Sequence, residues 1–206
     1  MATLYYFHDP MCSWCWGYRP VAGQLFANLP AGVVRSNILG GLAPDNDAPM
    51  PMWQQAAISG HWKRIEEMLG TTFNYDFWIR CHPRRSTYPA CRAVIAAGKQ
   101  GFEDEMVLAI QKAYYLKARN PSDLDTLEQL AAGLGLNSES FRADMASLET
   151  ETELQRQIQF TRASISSGFP SLQLEIGGRV HNISVDYENA AASLGEIRNH
   201  LSCHDD

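Results

Sequence analysis

Two cysteines separated by two residues follow a short apolar segment at the start of this 206-residue chain. Residues 3–7 are apolar and aromatic, which is typical of a buried strand. Apolar residues at helical spacing then predict a helix that begins at residues 11–13 and ends at a break at Asn28. Cys12 and Cys15 lie at the start of this helix. The sequence therefore predicts a strand, a dithiol and a helix in immediate succession.

The position of the dithiol suggests its chemistry. At a helix N-terminus, Cys12 meets unpaired backbone N–H groups and the positive end of the helix dipole, which favour the thiolate over the thiol. Cys15 lies one helical turn further on and is placed to attack a mixed disulfide on Cys12. We therefore expect reversible thiol-disulfide exchange, with the direction set by the potentials of the partners.

Two other interpretations of the pair stay open, namely a structural zinc site and a chance pair of core cysteines. Zinc needs further ligands, and the chain offers Cys81, His82, Cys91, Cys203 and His204. None of these repeats the two-residue spacing of a paired zinc knuckle, so redox chemistry is favoured and no metal is expected.

The rest of the chain divides into two parts. Residues 33–39 predict a second strand, parallel to the first, and residues 172–176 and 179–183 predict a hairpin. Between them, residues 50–167 carry helical periodicity and predict four to six helices. We expect Asp186 to cap a final helix. The predicted organisation is a discontinuous core of residues 1–49 and 168–206 with a helical insertion of residues 50–167.

Composition limits the partners. The net charge of −6 comes from scattered acidic residues, so a nucleic-acid partner is not expected. The sequence has no secretory leader pattern and no apolar run of membrane-spanning length, so we expect a cytoplasmic protein without a membrane partner. Five cysteines are too few for a disulfide scaffold in a chain of this length, and Cys81, Cys91 and Cys203 are expected to be free thiols.

Four segments resemble the DsbA-like branch of the thioredoxin family. They are DPMCSWCWGYRP, YPACRAVIAA, LAAGLGLNSESFRADM and SSGFPSLQLEIGGRVHNIS, which together span nearly the whole chain. The resemblance implies an α/β thioredoxin-like fold, a mixed sheet flanked by helices, with a large all-helical insertion. It also implies that Cys12 is the attacking thiolate, Cys15 the buried resolving thiol and Pro170 a cis-proline facing them. Phe169 would offer backbone hydrogen bonds to an extended protein or peptide substrate.

The cytoplasmic relatives suggested by this resemblance include the 2-hydroxychromene-2-carboxylate isomerases and the kappa-class glutathione transferases. Those relatives usually carry serine at the first cysteine position, so the presence of both sulfurs here favours dithiol exchange. The alternative is a glutathione-dependent isomerase or transferase acting on a small aromatic compound. Glutathione is a candidate co-substrate, and Ser184 and Asp186 are candidate residues for binding it, although a plain helix cap also explains Asp186.

Four further residues near the dithiol are candidates for its function. Trp14 and Trp16 are expected to line a groove for substrates. Ser13 and His8 are candidates for tuning the thiolate, since imidazole titrates near neutral pH, and His8 could equally be a solvated turn residue. Trp53 and Trp62 are expected to be structural. Apart from glutathione, no cofactor beyond the redox-active disulfide is expected.

Overall fold

The N-terminal dithiol follows the first strand of a mixed four-stranded sheet. The computed structural model describes residues 1–165 and 167–203. Its strands are β1 (Ala2–His8), β2 (Val33–Leu39), β3 (Ser171–Ile176) and β4 (Arg179–Ile183). Their order is β2-β1-β3-β4, with β1 parallel to β2 and antiparallel to β3, and β3 antiparallel to β4. The predicted parallel pair and the predicted hairpin are both confirmed.

Helices surround this sheet and fill the interval between β2 and β3. In the described part of the chain they are α1 (Ser13–Ala27), α2 (Met52–Leu69), α3 (Phe77–Arg80), α4 (Tyr88–Gly98), α5 (Glu103–Leu116), α6 (Leu124–Gly133), α7 (Ser138–Met145), α8 (Leu148–Ser164) and α9 (Ala190–Ser202). None of the described helices combines the length and the apolar character that a membrane span requires.

The predicted number of helices in the middle block was too low. Seven helices, α2 to α8, are described there instead of four to six. The four-residue α3 is a single turn, too short to give a recurring apolar spacing. Ser147 separates α7 from α8, because its side chain accepts a hydrogen bond from the N–H of Thr150 and starts a new helix. The division of the chain into two domains stays a prediction.

The start of the last helix also differs from the prediction. Asn189, not Asp186, caps α9, and its side chain accepts the N–H of Ala191 at 2.8 Å. Asp186 instead accepts the N–H groups of Glu188 and Asn189 at 2.8 and 2.9 Å. The aspartate therefore closes the turn before the helix, a pattern that resembles a cap when only the sequence is known.

The two faces of the sheet are covered by different elements. Tyr6 of β1 packs edge-on against Phe26 of α1, with ring centroids 5.2 Å apart, whereas Tyr5 contacts Phe160 of α8 at the same spacing. The alternation follows from the two-residue period of a strand. The face with Tyr6 therefore looks toward the helix that carries the dithiol.

The helical block has its own apolar cluster, which is centred on Trp62. Trp62 has no exposed surface and packs against several aromatic rings, those of Phe73, Tyr75, Phe77, Trp78, Tyr114 and Tyr115. Its predicted structural role is confirmed. The same prediction is wrong for Trp53, which is 71% exposed on the first turn of α2. Helical spacing placed both tryptophans on a helix, but it could not tell which face was buried.

Candidate redox site

Cys12 occupies the N-cap position of α1. Its backbone is extended, with φ −81° and ψ 116°, and its Sγ accepts a hydrogen bond from the N–H of Cys15 at 3.3 Å. Its carbonyl accepts the N–H of Trp16 at 3.1 Å. The sulfur thus takes the place of a capping oxygen, where otherwise unpaired N–H groups and the helix dipole favour negative charge. Both residues are buried, Cys12 at 6% exposed and Cys15 at 1%.

Cys15 lies deeper and is held protonated. Burial raises the pKa of its thiol well above the usual range, and the hydrogen bond and charge of Cys12 act in the same direction. Loss of the proton from Cys15 is therefore the step that needs help in any reaction in which its sulfur attacks. The asymmetry suits an outer attacking sulfur and an inner resolving one.

Phe169 and Pro170 approach the dithiol from the loop before β3. The Cys12 thiol donates to the Phe169 carbonyl at 3.6 Å, the Phe169–Pro170 peptide bond is cis, and Pro170 is buried. The Phe169 ring covers Gly40, where an added Cβ would lie 1.8 Å from the ring Cζ. A Cβ at position 40 would therefore force the Phe169 ring out of its present place beside β2.

The two tryptophans of the motif differ in their surroundings. Half-buried Trp14 packs edge-on against Tyr187 at 5.4 Å, and the guanidinium of Arg64 lies 5.9 Å from its ring. Trp16 stacks on Tyr115 at 5.7 Å, and its indole N–H donates to the Thr72 carbonyl at 3.3 Å. Ser13 is the half-buried first residue of α1. Trp14 and Ser13 thus border the dithiol, whereas the Trp16 ring is held against the helical block.

Tyrosine hydroxyls near the sulfurs were missed by the sequence analysis. Burial raises the pKa of Tyr6, Tyr115 and Tyr187, and ionisation of either Cys12 or Cys15 would raise each of them further. These phenols remain protonated at neutral pH and can donate hydrogen bonds. No local spacing marks them, because they come from β1, α5 and the loop before α9.

The role of Asp9 was also missed, because the sequence analysis treated this residue only as part of a turn. Its fully buried carboxylate accepts the N–H of Met11, the N–H of Leu42 and the Thr87 hydroxyl, each at 2.8 Å. The Cys91 thiol lies 3.6 Å from the same carboxylate, and burial raises the Asp9 pKa against the effect of these hydrogen bonds. Asp9 thus links the turn before Cys12 to the segments that contain Leu42 and Thr87. The Asp-Pro pair was the local sequence signal for the turn.

His8 is not a solvated turn residue. It is the last residue of β1, it is 2% exposed, and its ring stacks on Tyr6 with centroids 4.9 Å apart. Burial lowers its pKa to about 4, so the imidazole is neutral at pH 7 and provides no positive charge for a thiolate. The strand extends one residue further than the Asp-Pro signal indicated.

The candidate glutathione residues already have partners within the chain. The N–H of Ser184 donates to Glu196 Oε2 at 2.8 Å, and its carbonyl accepts the Ser193 hydroxyl at 2.7 Å. Asp186 holds the turn before α9, and these backbone hydrogen bonds lower its pKa. Glutathione binding through these two residues stays a prediction.

The remaining cysteines are dispersed. Cys91 is buried, Cys81 is half-buried with its thiol 3.1 Å from the Ala118 carbonyl, and Cys203 is exposed at the end of α9. Within residues 1–165 and 167–203, no three side chains of His, Cys, Asp or Glu are grouped so that they could hold a metal ion. His204, one of the candidate zinc ligands, lies outside the described residues.

Comparison with known proteins adds to this geometry. A sequence model described as thioredoxin matches residues 5–174. A ClpXP adapter protein SpxH from Halalkalibacterium halodurans is 25% identical over 165 residues, which are 77% of this chain and 54% of that protein. The chain therefore spans about half the length of this relative.

Solved structures match over nearly the whole chain. A Nitrosomonas europaea protein, provisionally described as a protein disulfide isomerase, aligns with a TM-score of 0.85 and 27% identity over 98% of both chains. The cytosolic disulfide reductase DsbM from Pseudomonas aeruginosa aligns with a TM-score of 0.80 and 24% identity, covering 98% of this chain and 99% of that one. DsbM has also been solved with GSH, and that structure aligns with a TM-score of 0.78 and 22% identity over 97% and 99% of the two chains. The predicted α/β thioredoxin-like fold and the resemblance to DsbA-like oxidoreductases are confirmed.

Proposed function

The chain belongs to the thioredoxin family, and on that premise we propose that it is a thiol-disulfide oxidoreductase acting on proteins or peptides through Cys12 and Cys15. One observation carries the proposal: the Cys12 sulfur caps α1 and accepts the N–H of Cys15 at 3.3 Å. A sulfur in that position is stabilised as a leaving group and as a thiolate, and its resolving partner is one helical turn away.

In the reducing direction, the Cys12 thiolate attacks one sulfur of a substrate disulfide. The substrate S–S bond breaks, a mixed disulfide forms on Cys12, and the displaced substrate thiolate takes up a proton. Cys15 then loses its proton and attacks the Cys12 sulfur, which releases the second substrate thiolate. The substrate gains two electrons, and the Cys12–Cys15 pair becomes a disulfide. Oxidation of a substrate dithiol is the same sequence in reverse.

The surroundings of Cys12 suit a substrate chain that passes close to it. The Phe169 carbonyl, 3.6 Å from the sulfur, is an acceptor for a backbone N–H of an extended segment once Cys12 is engaged in a mixed disulfide. The half-buried ring of Trp14, which lies between the two cysteines in the sequence, offers a substrate an apolar contact. Asp9 fixes the turn before Cys12 and acts as a positioning residue.

Reduction of insulin by a small dithiol tests the proposal. We expect the wild-type chain to accelerate the precipitation of insulin chains and Cys12→Ser to abolish this acceleration, because the attacking sulfur is lost. Cys203→Ser is the matched control, since Cys203 is exposed and lies at the far end of α9, and it should keep full activity. Equal activity of Cys12→Ser and wild type would contradict the proposal.

Glutathione is the co-substrate that we propose for recycling the pair. The support is that DsbM, which shares this fold, has been solved with GSH. We expect reduced glutathione to restore the Cys12–Cys15 dithiol after each turnover, measured as NADPH consumption coupled through glutathione reductase. If Cys15→Ala instead kept full glutathione-dependent activity on a small aromatic compound, the isomerase or transferase alternative would replace dithiol exchange.

We place the reaction in the cytoplasm, where thiols are kept reduced, because the neighbour DsbM is described as cytosolic. Fractionation of cells expressing the natural gene tests this placement. Recovery of the chain from an exported fraction would contradict it.

A further inference from the structure

A cavity of about 380 Å³ lies between α5 and α6 in the helical block. One wall is a single stripe of α5, whose residues recur at a spacing of three or four positions. The stripe consists of Glu105, Leu108, Ala109 and Lys112. The residues that α6 and its C-cap contribute are Gln129, Leu130, Gly133 and Leu134. The volume lies in the lower part of the range of about 300–1,000 Å³ that is typical of small-molecule pockets.

Part of the lining is apolar and incompletely covered by the protein. The side chains concerned are half-buried, and they are Leu108, Ala109, Leu130 and Leu134. Such surface is removed from water when an apolar group covers it, which is favourable. The cavity therefore suits a ligand with an apolar body.

The charged side chains of the cavity are mostly cationic. Lys112, Lys117 and Arg119 line it, and Glu105 is the one acidic residue among those that do. The lining thus carries a net positive charge, although the chain as a whole has a net charge of −6. A local field of this sign attracts anions.

The two lysines of the cavity have no acidic partner. The sequence contains four lysines, and the other two, Lys63 and Lys99, form ion pairs with acidic side chains. In the described part of the chain, Lys112 and Lys117 form none, and both are exposed. Their ammonium groups are therefore free to meet a carboxylate that enters the cavity.

The turn after α5 holds two of these cations in fixed positions. Ala118 has a φ of 48° and is the only residue other than glycine with a positive φ in residues 1–165 and 167–203. This conformation is strained for a residue with a Cβ, and such strain is concentrated at ligand sites and switches. The N–H of Lys117 donates to the Lys112 carbonyl at 3.1 Å, and the N–H of Arg119 donates to the Ala113 carbonyl at 2.9 Å.

Arg119 is held through its side chain as well. Its guanidinium donates to the side-chain oxygen of Gln129 at 2.8 Å, and both residues line the cavity. A guanidinium has five N–H donors, and this is the one hydrogen bond that the Arg119 side chain makes to the described residues. Donors therefore remain for a carboxylate, which arginine can bind through two parallel hydrogen bonds.

We propose that this cavity binds a small organic acid, whose carboxylate meets Lys112, Lys117 and Arg119 and whose apolar tail covers the leucine side chains. A free small molecule is favoured over a membrane or an acidic protein segment, because the cations are grouped around a cavity of small-molecule size. The site is separate from the dithiol exchange proposed above, since neither Cys12 nor Cys15 lines it.

Titration with octanoate tests the proposal, using amide NMR spectra of the isotope-labelled full chain at low salt. We expect the chemical shifts to change mainly in the parts of α5 and α6 that line the cavity. Octanol and octylammonium carry the same tail with a neutral or a cationic head. Octanoate should bind at least about tenfold more tightly than octylammonium, and its affinity should fall as salt is added, because exposed charges are screened.

Two variants separate the head from the tail of the ligand. Lys112→Gln combined with Lys117→Gln should raise the dissociation constant of octanoate about tenfold and leave that of octanol unchanged. Lys63→Gln is the matched control, because it removes an exposed lysine outside the cavity, and it should change octanoate binding less than about twofold. Ala109→Leu fills the cavity and should weaken octanoate and octanol alike.

Equal binding of octanoate and octylammonium, shifts centred away from α5 and α6, or an unchanged dissociation constant in the double lysine variant would overturn the proposal. Binding of phosphatidylglycerol vesicles or of an acidic peptide, without a response to octanoate, would also overturn it. If Ala109→Leu does not fold, the comparison of the three ligands on wild type decides. Cys12→Ser should bind octanoate as wild type does, so this result is independent of the insulin assay.

Discussion

The buried imidazole of His8 makes the free energy of unfolding depend on pH. Burial lowers its pKa to about 4 in the folded chain, whereas the unfolded value is 6.5. The folded state therefore disfavours the protonated imidazole. The contribution of His8 to the free energy of unfolding is fully present above pH 6.5 and is lost as the pH falls toward 4. The difference between the two pKa values corresponds to about 3 kcal/mol in the free energy of unfolding, of which about 2 kcal/mol is lost between pH 7 and pH 5.

Urea unfolding of wild type and His8→Phe at both pH values isolates this contribution. All other titrating groups are common to the two proteins, so their effects cancel when the pH 7 to pH 5 loss of the variant is subtracted from that of wild type. We expect wild type to lose about 2 kcal/mol more than His8→Phe over this interval. Equal losses would show that His8 titrates alike in the folded and unfolded chains, and the description of a neutral buried imidazole would then be wrong.

Three further substitutions test the packing around the site. Gly40→Ala places a Cβ within 1.8 Å of the Phe169 ring, so thermal unfolding should show a loss of about 1–3 kcal/mol and insulin reduction should fall, whereas unchanged behaviour would place the ring elsewhere. Trp62→Ala empties the centre of the helical cluster and should cost about 3–5 kcal/mol by urea unfolding; a cost below about 1 kcal/mol would contradict its full burial. Asp9→Ala leaves three donors without their acceptor and should cost more than about 2 kcal/mol, which a wild-type midpoint would refute.

Much of the fold is predictable because its signals are local. The alternation at residues 172–176 and the Gly-Gly turn after it give the hairpin, and the apolar segment before Cys12 gives the first strand. The start of α1 at Ser13 agrees with the predicted start at residues 11–13. In each case the residues that set the structure are within a few positions of one another.

The site is less predictable because its contacts span long separations in sequence. Phe169 meets Cys12 across 157 positions, and Thr87 meets Asp9 across 78. Tyr115 comes from α5 in the helical block. No periodicity encodes such contacts, so only the resemblance to a family could suggest Phe169 beforehand, and nothing suggested Thr87 or Tyr115.

The central claim is that Cys12 alone attacks the substrate and that Cys15 releases it. Trapping tests this directly: Cys15→Ser is incubated with an oxidised peptide, and the products are digested without reductant and sequenced by mass spectrometry. We expect one mixed disulfide, located on Cys12, that persists in the variant and is resolved in wild type. Linkage through Cys81, Cys91 or Cys203 instead, or rapid resolution in the absence of the Cys15 sulfur, would contradict the account.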